Sequence, residues 1–156
     1  MSLLVLHCIS LPRGRYGGPA IEQLFTNALD AASHPGFAGL AGLRVSAHFL
    51  IRRDGALVQF VPLGARAWHA GVSAWRGRAR CNDISVGVEL EGVDDAPFEP
   101  AQYDRLVSLA RDLCARLPLR EVAAHSDIAR GRKSDPGARF AWRRLLAALA
   151  AGAPHP

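Results

Sequence analysis

The segment HSDIARGRKSDPG, residues 125–137, combines a histidine, two aspartates and the only lysine of the chain. Histidine and aspartate are common zinc ligands, and a catalytic zinc site takes three protein ligands and leaves one position for water. His125 and Asp135 are therefore candidate ligands, with Asp127 as an alternative carboxylate. His7 is the best second nitrogen, because it too lies at the C-terminal part of a predicted strand. This set would predict metal-assisted hydrolysis, although a single histidine in such a place more often has a structural role.

Lys133 is separated from Asp135 by one residue, so in an extended loop both side chains point to the same side. A cation at this place would stabilise the negative charge that develops on a carbonyl oxygen during hydrolysis. Lysine does this as a compact point charge, whereas arginine presents a planar fork. The alternative is that this lysine stands among the arginines by chance.

Two carboxylates, Glu89 and Glu91, lie on the polar face of a predicted strand whose other face is aliphatic. A carboxylate that faced a cleft could act as a general base toward water and then as an acid toward a leaving amine. The simpler interpretation of the sequence alone is a strand with one solvated face.

The spacing of apolar residues indicates which elements position these side chains. Strands are predicted at 3–9, at 84–92 and at 120–125, and a hairpin at 45–62 turns at Asp54-Gly55. Helices are predicted after Pro19, over a stripe from Tyr103 to Leu117 that includes Cys114, and over 140–150 with Trp142, Leu145, Leu146 and Leu149 buried. Two long loops cover 27–43 and 65–83. Strands mixed with helices predict an α/β fold, a single domain with a mixed central β-sheet flanked by helices.

The 156 residues fit one domain, which we place at 1–150, followed by a disordered tail at 151–156. The apolar runs are too short to cross a membrane, and the N-terminus lacks the pattern of an export signal, so we expect a cytoplasmic protein. Three cysteines without metal-type spacing argue against a disulfide framework. The net charge of +5 comes from dispersed arginines, which predicts an anionic small ligand and no nucleic acid or membrane partner. We expect a monomer.

Five stretches resemble, in order, the zinc-dependent N-acetylmuramoyl-L-alanine amidase family of the AmpD type: GGPAIEQLFTN, LRVSAHFLIRRDGALVQFVP, ARAWHAGVS, RCNDISVGVELEG and HSDIARGRKSDPG. The resemblance implies a mixed sheet flanked by helices, with a zinc groove on one side. It also implies that His7, His125 and Asp135 bind Zn2+, that Lys133 stabilises the oxyanion and that Glu89 is the catalytic acid and base.

The same resemblance implies that Trp68, Arg44 and Arg80 hold the sugar and peptide parts of the ligand. Cys8 follows the first zinc histidine, where many relatives have asparagine, so a weakly donating thiol would face the substrate there. The implied activity is hydrolysis of the amide between the lactyl group of (1,6-anhydro-)N-acetylmuramic acid and L-alanine, in cytoplasmic recycling of cell-wall muropeptides. Two alternatives with the same fold are a non-catalytic peptidoglycan-binding module and an extracellular wall-lytic amidase.

Overall fold

The computed structural model of the protein describes residues 1–151. In chain order the elements are β1 (Leu3–Ile9), α1 (Ala20–Phe25), β2 (Phe49–Ile51), β3 (Leu57–Gln59), β4 (Ala74–Trp75), β5 (Arg78–Ala79), β6 (Ser85–Glu91), α2 (Pro100–Arg116), β7 (Glu121–Ala124), α3 (His125–Ile128) and α4 (Trp142–Ala151). Most of the tail predicted at 151–156 lies outside the described residues, and Ala151 is the last residue of α4. Within residues 1–151, no helix is long and apolar enough to span a membrane.

Five strands form one mixed sheet in the order β3-β2-β6-β1-β7. β2, β6, β1 and β7 run parallel, and β3 is antiparallel to β2 in the hairpin that was predicted at Asp54-Gly55. β4 and β5 form a separate small hairpin. Because β1 lies between β6 and β7, the carboxyl ends of three parallel strands meet at one edge of the sheet.

One face of the sheet is aliphatic and packs against α2 and α4. Alternate residues of β1 and β6 point to this face, among them Leu4, Leu6, Val88 and Leu90, and all of them are buried. Burial of this apolar surface on folding is the main favourable contribution to stability, at about 25 cal/mol for each Å² removed from water. This face supplies the rigid support for the residues that point the other way.

The opposite face carries two smaller apolar clusters. One surrounds Leu3 and Val5 and is covered by α3 and the segment that contains Ala70 and Cys81. The other surrounds Leu50 and is covered by α1. On this same face His7 of β1 is the register partner of Glu89 of β6, and Glu89 is the partner of Leu50 of β2. A row of polar side chains therefore lies on the sheet beside two apolar clusters.

Two details of α2 and α4 differ from the prediction. Cys114 is exposed, and the buried stripe of α2 runs through Gln102 instead, because its side-chain amide donates hydrogen bonds to the carbonyl oxygens of Ile51 and Glu91 at 3.2 and 3.0 Å. In α4 only Leu145 is fully buried. Leu146 is 49% exposed, because a helix at the edge of the core packs along one narrow stripe.

The loops and the polar strand face also differ from the prediction. The hairpin strands are only three residues each. The loop at 65–83 contains the β4–β5 hairpin, and 27–43 contains two short 3-10 helices at 31–33 and 35–40. The polar face of β6 is not solvated, because every residue from Ser85 to Glu91 is buried beneath the covering loops.

Replacement of Gly137 by alanine should destabilise the fold strongly. Gly137 has φ of +94°, and an added Cβ would lie 1.9 Å from the carbonyl oxygen of Asp94. Gly131→Ala is the matched control, since φ there is +72° and no atom of residues 1–151 lies within 4 Å of an added Cβ. We expect a loss of about 1 kcal/mol for the control and about 3 kcal/mol or more for Gly137→Ala, measured by urea unfolding. Equal losses would show that the contact with Asp94 carries no cost.

Candidate metal centre and active site

Three donor atoms from distant parts of the chain converge at the carboxyl edge of the sheet. His7 Nδ1 lies 2.9 Å from His125 Nδ1, and Asp135 Oδ2 lies 3.3 and 3.0 Å from these two nitrogens. His7 is on β1. His125 is the first residue after β7, which pairs with β1 in the sheet. Both imidazoles are buried, and Asp135 is half-buried. The structure therefore brings together the three residues predicted as ligands.

Asp127, the alternative carboxylate, has another contact. Its Oδ2 accepts a hydrogen bond of 2.9 Å from the backbone N–H of Ala124, at the start of α3. This contact satisfies a backbone donor that a short helix would otherwise leave free. The geometry thus favours Asp135 over Asp127 as the third donor.

The protonation of this cluster suits a cation. Burial raises the pKa of Asp135, but hydrogen bonds to His125 and His7 outweigh it and hold the pKa well below its usual range. Burial lowers the pKa of His7 to about 4. His125 Nε2 lies 3.2 Å from the carbonyl oxygen of Ala70, which can only accept, so neutral His125 has its proton on Nε2 and a lone pair on Nδ1. The lone pairs of two imidazoles and a carboxylate thus face one another, with too few protons to form hydrogen bonds between all of them. Such a group is the typical donor set of a metal site.

Glu89 lies beside this cluster on the next strand. It is 9% exposed, and its Oε2 is buried without a hydrogen-bond partner among the described residues. Burial raises its pKa well above the usual value, the negative charge of Asp135 adds to the rise, and the positive charge of Lys133 opposes it. A buried carboxyl with a raised pKa and an unpaired oxygen is suited to exchange a proton with a ligand.

Lys133 is exposed on the loop that follows α3, two residues from Asp135. The backbone N–H of Lys133 donates a hydrogen bond to the carbonyl oxygen of Ala129. On the other side Ser134 Oγ donates to Asp94 Oδ2 at 2.5 Å, and Arg13 donates to the second oxygen of the same carboxylate at 2.8 Å. The loop is therefore fixed at several points, and the positive charge of Lys133 lowers the pKa values of both Glu89 and His7.

The predicted substrate-binding residues lie on the surrounding loops. Trp68 is 53% exposed, with the guanidinium of Arg66 stacked 4.1 Å from its ring centre. Arg44 is exposed two residues before Ser46, whose N–H donates to the carbonyl oxygen of Trp68. Arg80 pairs with Asp83. Among residues 1–151, these three side chains make no hydrogen bond or ion pair with the three donor atoms, so their role in binding stays a prediction.

The side chain of Cys8 points to the opposite face of the sheet from that of His7. Alternation along β1 turns its side chain to the face opposite His7, where it packs against the core beneath α2. Burial raises the pKa of its thiol far above the ordinary value, and the charge of Glu89 adds to the rise. The thiol is therefore protonated and half-buried, and its predicted contact with substrate is untested.

Sequence reasoning did not assign His69 to the site. Its Nδ1 lies 2.8 Å from His7 Nε2, on the side of that ring away from Asp135. One signal was available, because Gly87 interrupts a strand of larger residues, and a glycine there often marks the close approach of another group. A Cβ on Gly87 would lie 2.5 Å from the imidazole of His69.

Comparison with known proteins assigns the chain to a family. Residues 1–138 match the N-acetylmuramoyl-L-alanine amidase family. The chain belongs to this family. It is 54% identical over 148 residues to the 1,6-anhydro-N-acetylmuramyl-L-alanine amidase AmpD of Citrobacter freundii, covering 94% of this chain and 79% of that protein.

Solved structures of amidases agree with this membership. A crystal structure of a selenomethionine AmpD derivative superposes with a TM-score of 0.92 at 53% identity, over 95% of this chain and 84% of that one. The amidase AmiD of Escherichia coli, in complex with the substrate anhydro-N-acetylmuramic acid-L-Ala-D-γ-Glu-L-Lys, gives a TM-score of 0.69 at 35% identity, over 95% of this chain and 57% of that one. The predicted family, fold class and amidase class are confirmed.

The pKa shifts predict how the stability of the metal-free amidase depends on pH. Burial holds the pKa values of His7, His48 and His69 below the ordinary 6.5, so on acidification toward about 4 the unfolded chain gains protons that the folded chain excludes. The free energy of unfolding should therefore decrease as the pH is lowered through this window, by up to about 1.4 kcal/mol per pH unit for each excluded proton. Glu89 acts in the opposite sense, because its folded carboxyl keeps a proton that the unfolded one has lost.

Urea unfolding at a series of pH values, with a chelator present, measures this dependence. Glu89→Gln is the matched control, and the slope should become steeper in that variant because the opposing contribution is gone. A stability that stayed constant or rose on acidification through this window would contradict the assignment of the three rings as neutral.

Proposed function

We propose that this amidase uses zinc to hydrolyse the amide between the lactyl group of 1,6-anhydro-N-acetylmuramic acid and L-alanine in muropeptides. We further propose that it acts as a cytoplasmic monomer in cell-wall recycling, with residues 1–150 as its single domain. The observation that carries the proposal is the convergence of His7, His125 and Asp135 next to a buried oxygen of Glu89 that has no hydrogen-bond partner within residues 1–151. The name of the Citrobacter freundii relative and the substrate in the AmiD complex support the choice of bond.

Zinc fits the donor set, and His7, His125 and Asp135 would hold it. Two neutral imidazoles and one carboxylate leave one positive charge uncompensated, and three protein ligands are the usual number in catalytic zinc sites. When bound, zinc supplies Lewis-acid activation of water and of the amide carbonyl. The remaining chemistry belongs to the side chains around it.

Glu89 would move the proton. Its Oε2 would accept a proton from the attacking water. The oxygen of that water forms the new C–O bond with the carbonyl carbon. The same carboxyl then donates that proton to the nitrogen of L-alanine as the C–N bond breaks. A raised pKa suits this double role, because the group must both accept and release a proton near neutral pH.

Lys133 would stabilise the oxygen that becomes negative when water adds to the carbonyl. An exposed ammonium on an anchored loop is suited to reach a ligand above the sheet. The carboxylates of the stem peptide would meet a protein with net charge +5. Arg44 and Arg80 would contribute to this attraction, and the exposed ring of Trp68 would offer a flat apolar face to the sugar.

The bond and the substrate class can be tested together by mass spectrometry. The purified protein is incubated with 1,6-anhydro-N-acetylmuramyl tripeptide or with purified sacculi, each with and without a chelator. We expect free tripeptide and anhydro-N-acetylmuramic acid from the soluble substrate, with loss of activity on chelation and recovery on addition of zinc. Faster release from sacculi would favour a wall-lytic amidase, and binding without cleavage would favour a recognition module.

Two substitutions should separate metal binding from charge stabilisation. Asp135→Ala should lose zinc and activity together, because a ligand is gone. Lys133→Ala should keep zinc while the rate falls on the order of 100-fold or more, as is typical when an oxyanion donor is removed. Zinc content by atomic emission and rate on the muropeptide measure the two effects.

Arg130→Ala is the matched control, since Arg130 is another exposed cation of the same loop. It should retain nearly full activity. Full activity in the Lys133→Ala variant, or an equal loss in the Arg130→Ala variant, would contradict the role proposed for the lysine.

A further inference from the structure

A line of hydrogen bonds extends from His7 away from the donor cluster into the protein. His7 Nε2 lies 2.8 Å from His69 Nδ1, and His69 Nε2 lies 3.3 Å from Ser85 Oγ. Ser85 Oγ in turn donates to the carbonyl oxygen of Cys81 at 2.6 Å. His7, Ser85 and Cys81 are almost completely buried and His69 is partly buried, so water has little access to these contacts.

The end of this line fixes the direction of every proton along it. The carbonyl oxygen of Cys81 can only accept, so the single hydroxyl proton of Ser85 is used in the hydrogen bond to it. Ser85 Oγ is then an acceptor, and His69 must present Nε2–H to it. The other nitrogen of neutral His69, Nδ1, has a lone pair, which accepts a hydrogen bond from His7 Nε2–H. The lone pair of neutral His7 is therefore on Nδ1, the atom that faces His125 and Asp135.

The second imidazole of the cluster is oriented in the same way by a different acceptor. His125 Nε2 donates to the carbonyl oxygen of Ala70, which also accepts from the guanidinium of Arg132 at 2.7 Å. Ala70 follows His69 directly in the chain. The backbone N–H groups of both residues donate to Asn82 Oδ1, at 3.1 and 2.8 Å. One short segment thus supplies an acceptor to each of the two imidazoles.

The space for His69 is also built into the sheet. Its ring lies over Gly87 of β6, where any larger residue would place a Cβ about 2.5 Å from the ring. The rings of His69 and His7 meet edge to face, with centres 4.9 Å apart. The position of His69 therefore follows from packing as well as from hydrogen bonds.

We propose that His69 is a positioning residue, which with Ser85 holds His7 in the tautomer whose Nδ1 lone pair points at the metal position. This inference rests on the proposed function, in that His7 is taken as a ligand. Partners of this kind around a metal-ligating histidine fix its ring and raise its basicity, and their removal commonly weakens metal binding by about 10- to 100-fold.

Two substitutions of similar size test whether the acceptor matters. His69→Asn keeps an oxygen acceptor near the position of Nδ1, whereas His69→Leu fills similar space with no polar atom. We expect the zinc affinity, measured by competition with a chelator, to fall about 10- to 100-fold in His69→Leu and by much less in His69→Asn. Equal losses in the two variants, or no loss in either, would overturn the proposal. Thermal unfolding of the metal-free variants shows whether a loss of affinity only reflects a loss of fold.

A direct measurement on the unaltered protein keeps the proposal testable if a variant fails to fold. Long-range proton–nitrogen NMR spectra of the zinc-loaded protein identify the protonated nitrogen of each histidine. We expect Nε2–H in both His7 and His69. A proton on Nδ1 of His69 would overturn the relay. Failure of the proposed function gives a different result, since the unaltered protein would then bind no zinc and the His7 nitrogen signals would not shift on its addition.

Ser85→Ala separates the two links of the relay. Without the hydroxyl, His69 loses the group that fixes its own proton, so its Nδ1–H form should become populated in the NMR spectra and zinc affinity should fall. In the His69→Asn background the same substitution should have little further effect on affinity, because the acceptor for His7 is no longer set by Ser85. Additive losses would contradict the connection.

Discussion

The site depends on the parallel pairing of β1 with β6 on one side and β7 on the other. Parallel strands end at the same edge, so this pairing brings the end of β1 close to the end of β7 and sets His7 directly beside Glu89. A shift of one residue in either pairing would turn one of these side chains into the aliphatic core. The hydrophobic residues on the other face therefore determine the register that the polar residues need.

Burial of a polar group is unfavourable unless the group has a hydrogen-bond partner. The two carboxylates of β6 differ in this respect. Glu91 accepts hydrogen bonds from Arg52 at 2.9 Å and from the N–H groups of Gly17 and Arg53 at 2.7 and 3.2 Å. These contacts tie the loop after β1 to the sheet. Glu89, two residues earlier on the same face, has one oxygen with no hydrogen-bond partner in the described part of the chain. The first carboxylate is structural, and the second has the freedom that proton transfer needs.

Sequence patterns predicted the local elements well. The aliphatic run of β1, the Asp54-Gly55 turn and the apolar period of α2 are local signals, and the structure agrees with each except at Cys114, which is exposed. The structure also brings together the three residues predicted as metal ligands, of which His7 and His125 were chosen by residue type and by their place at strand ends. The solvated face predicted for β6 was wrong, because alternation alone does not tell whether a loop covers a polar face. Here the loop that contains His69 lies against Gly87, and the loop before α1 contacts Glu91 through Gly17, and both loops are distant from β6 in sequence.

His69 shows why support around a site is harder to predict than the site itself. A ligand must be a histidine, cysteine or carboxylate, so its residue type narrows the choice. A supporting residue is defined by where its hydrogen bonds lead, and those of His69 lead to β1 and β6, more than ten residues away in either direction. The only local trace is Gly87, whose missing side chain leaves room for the ring. A glycine inside a buried strand thus points to the element that crosses it, and here that element carries the acceptor that orients the first imidazole.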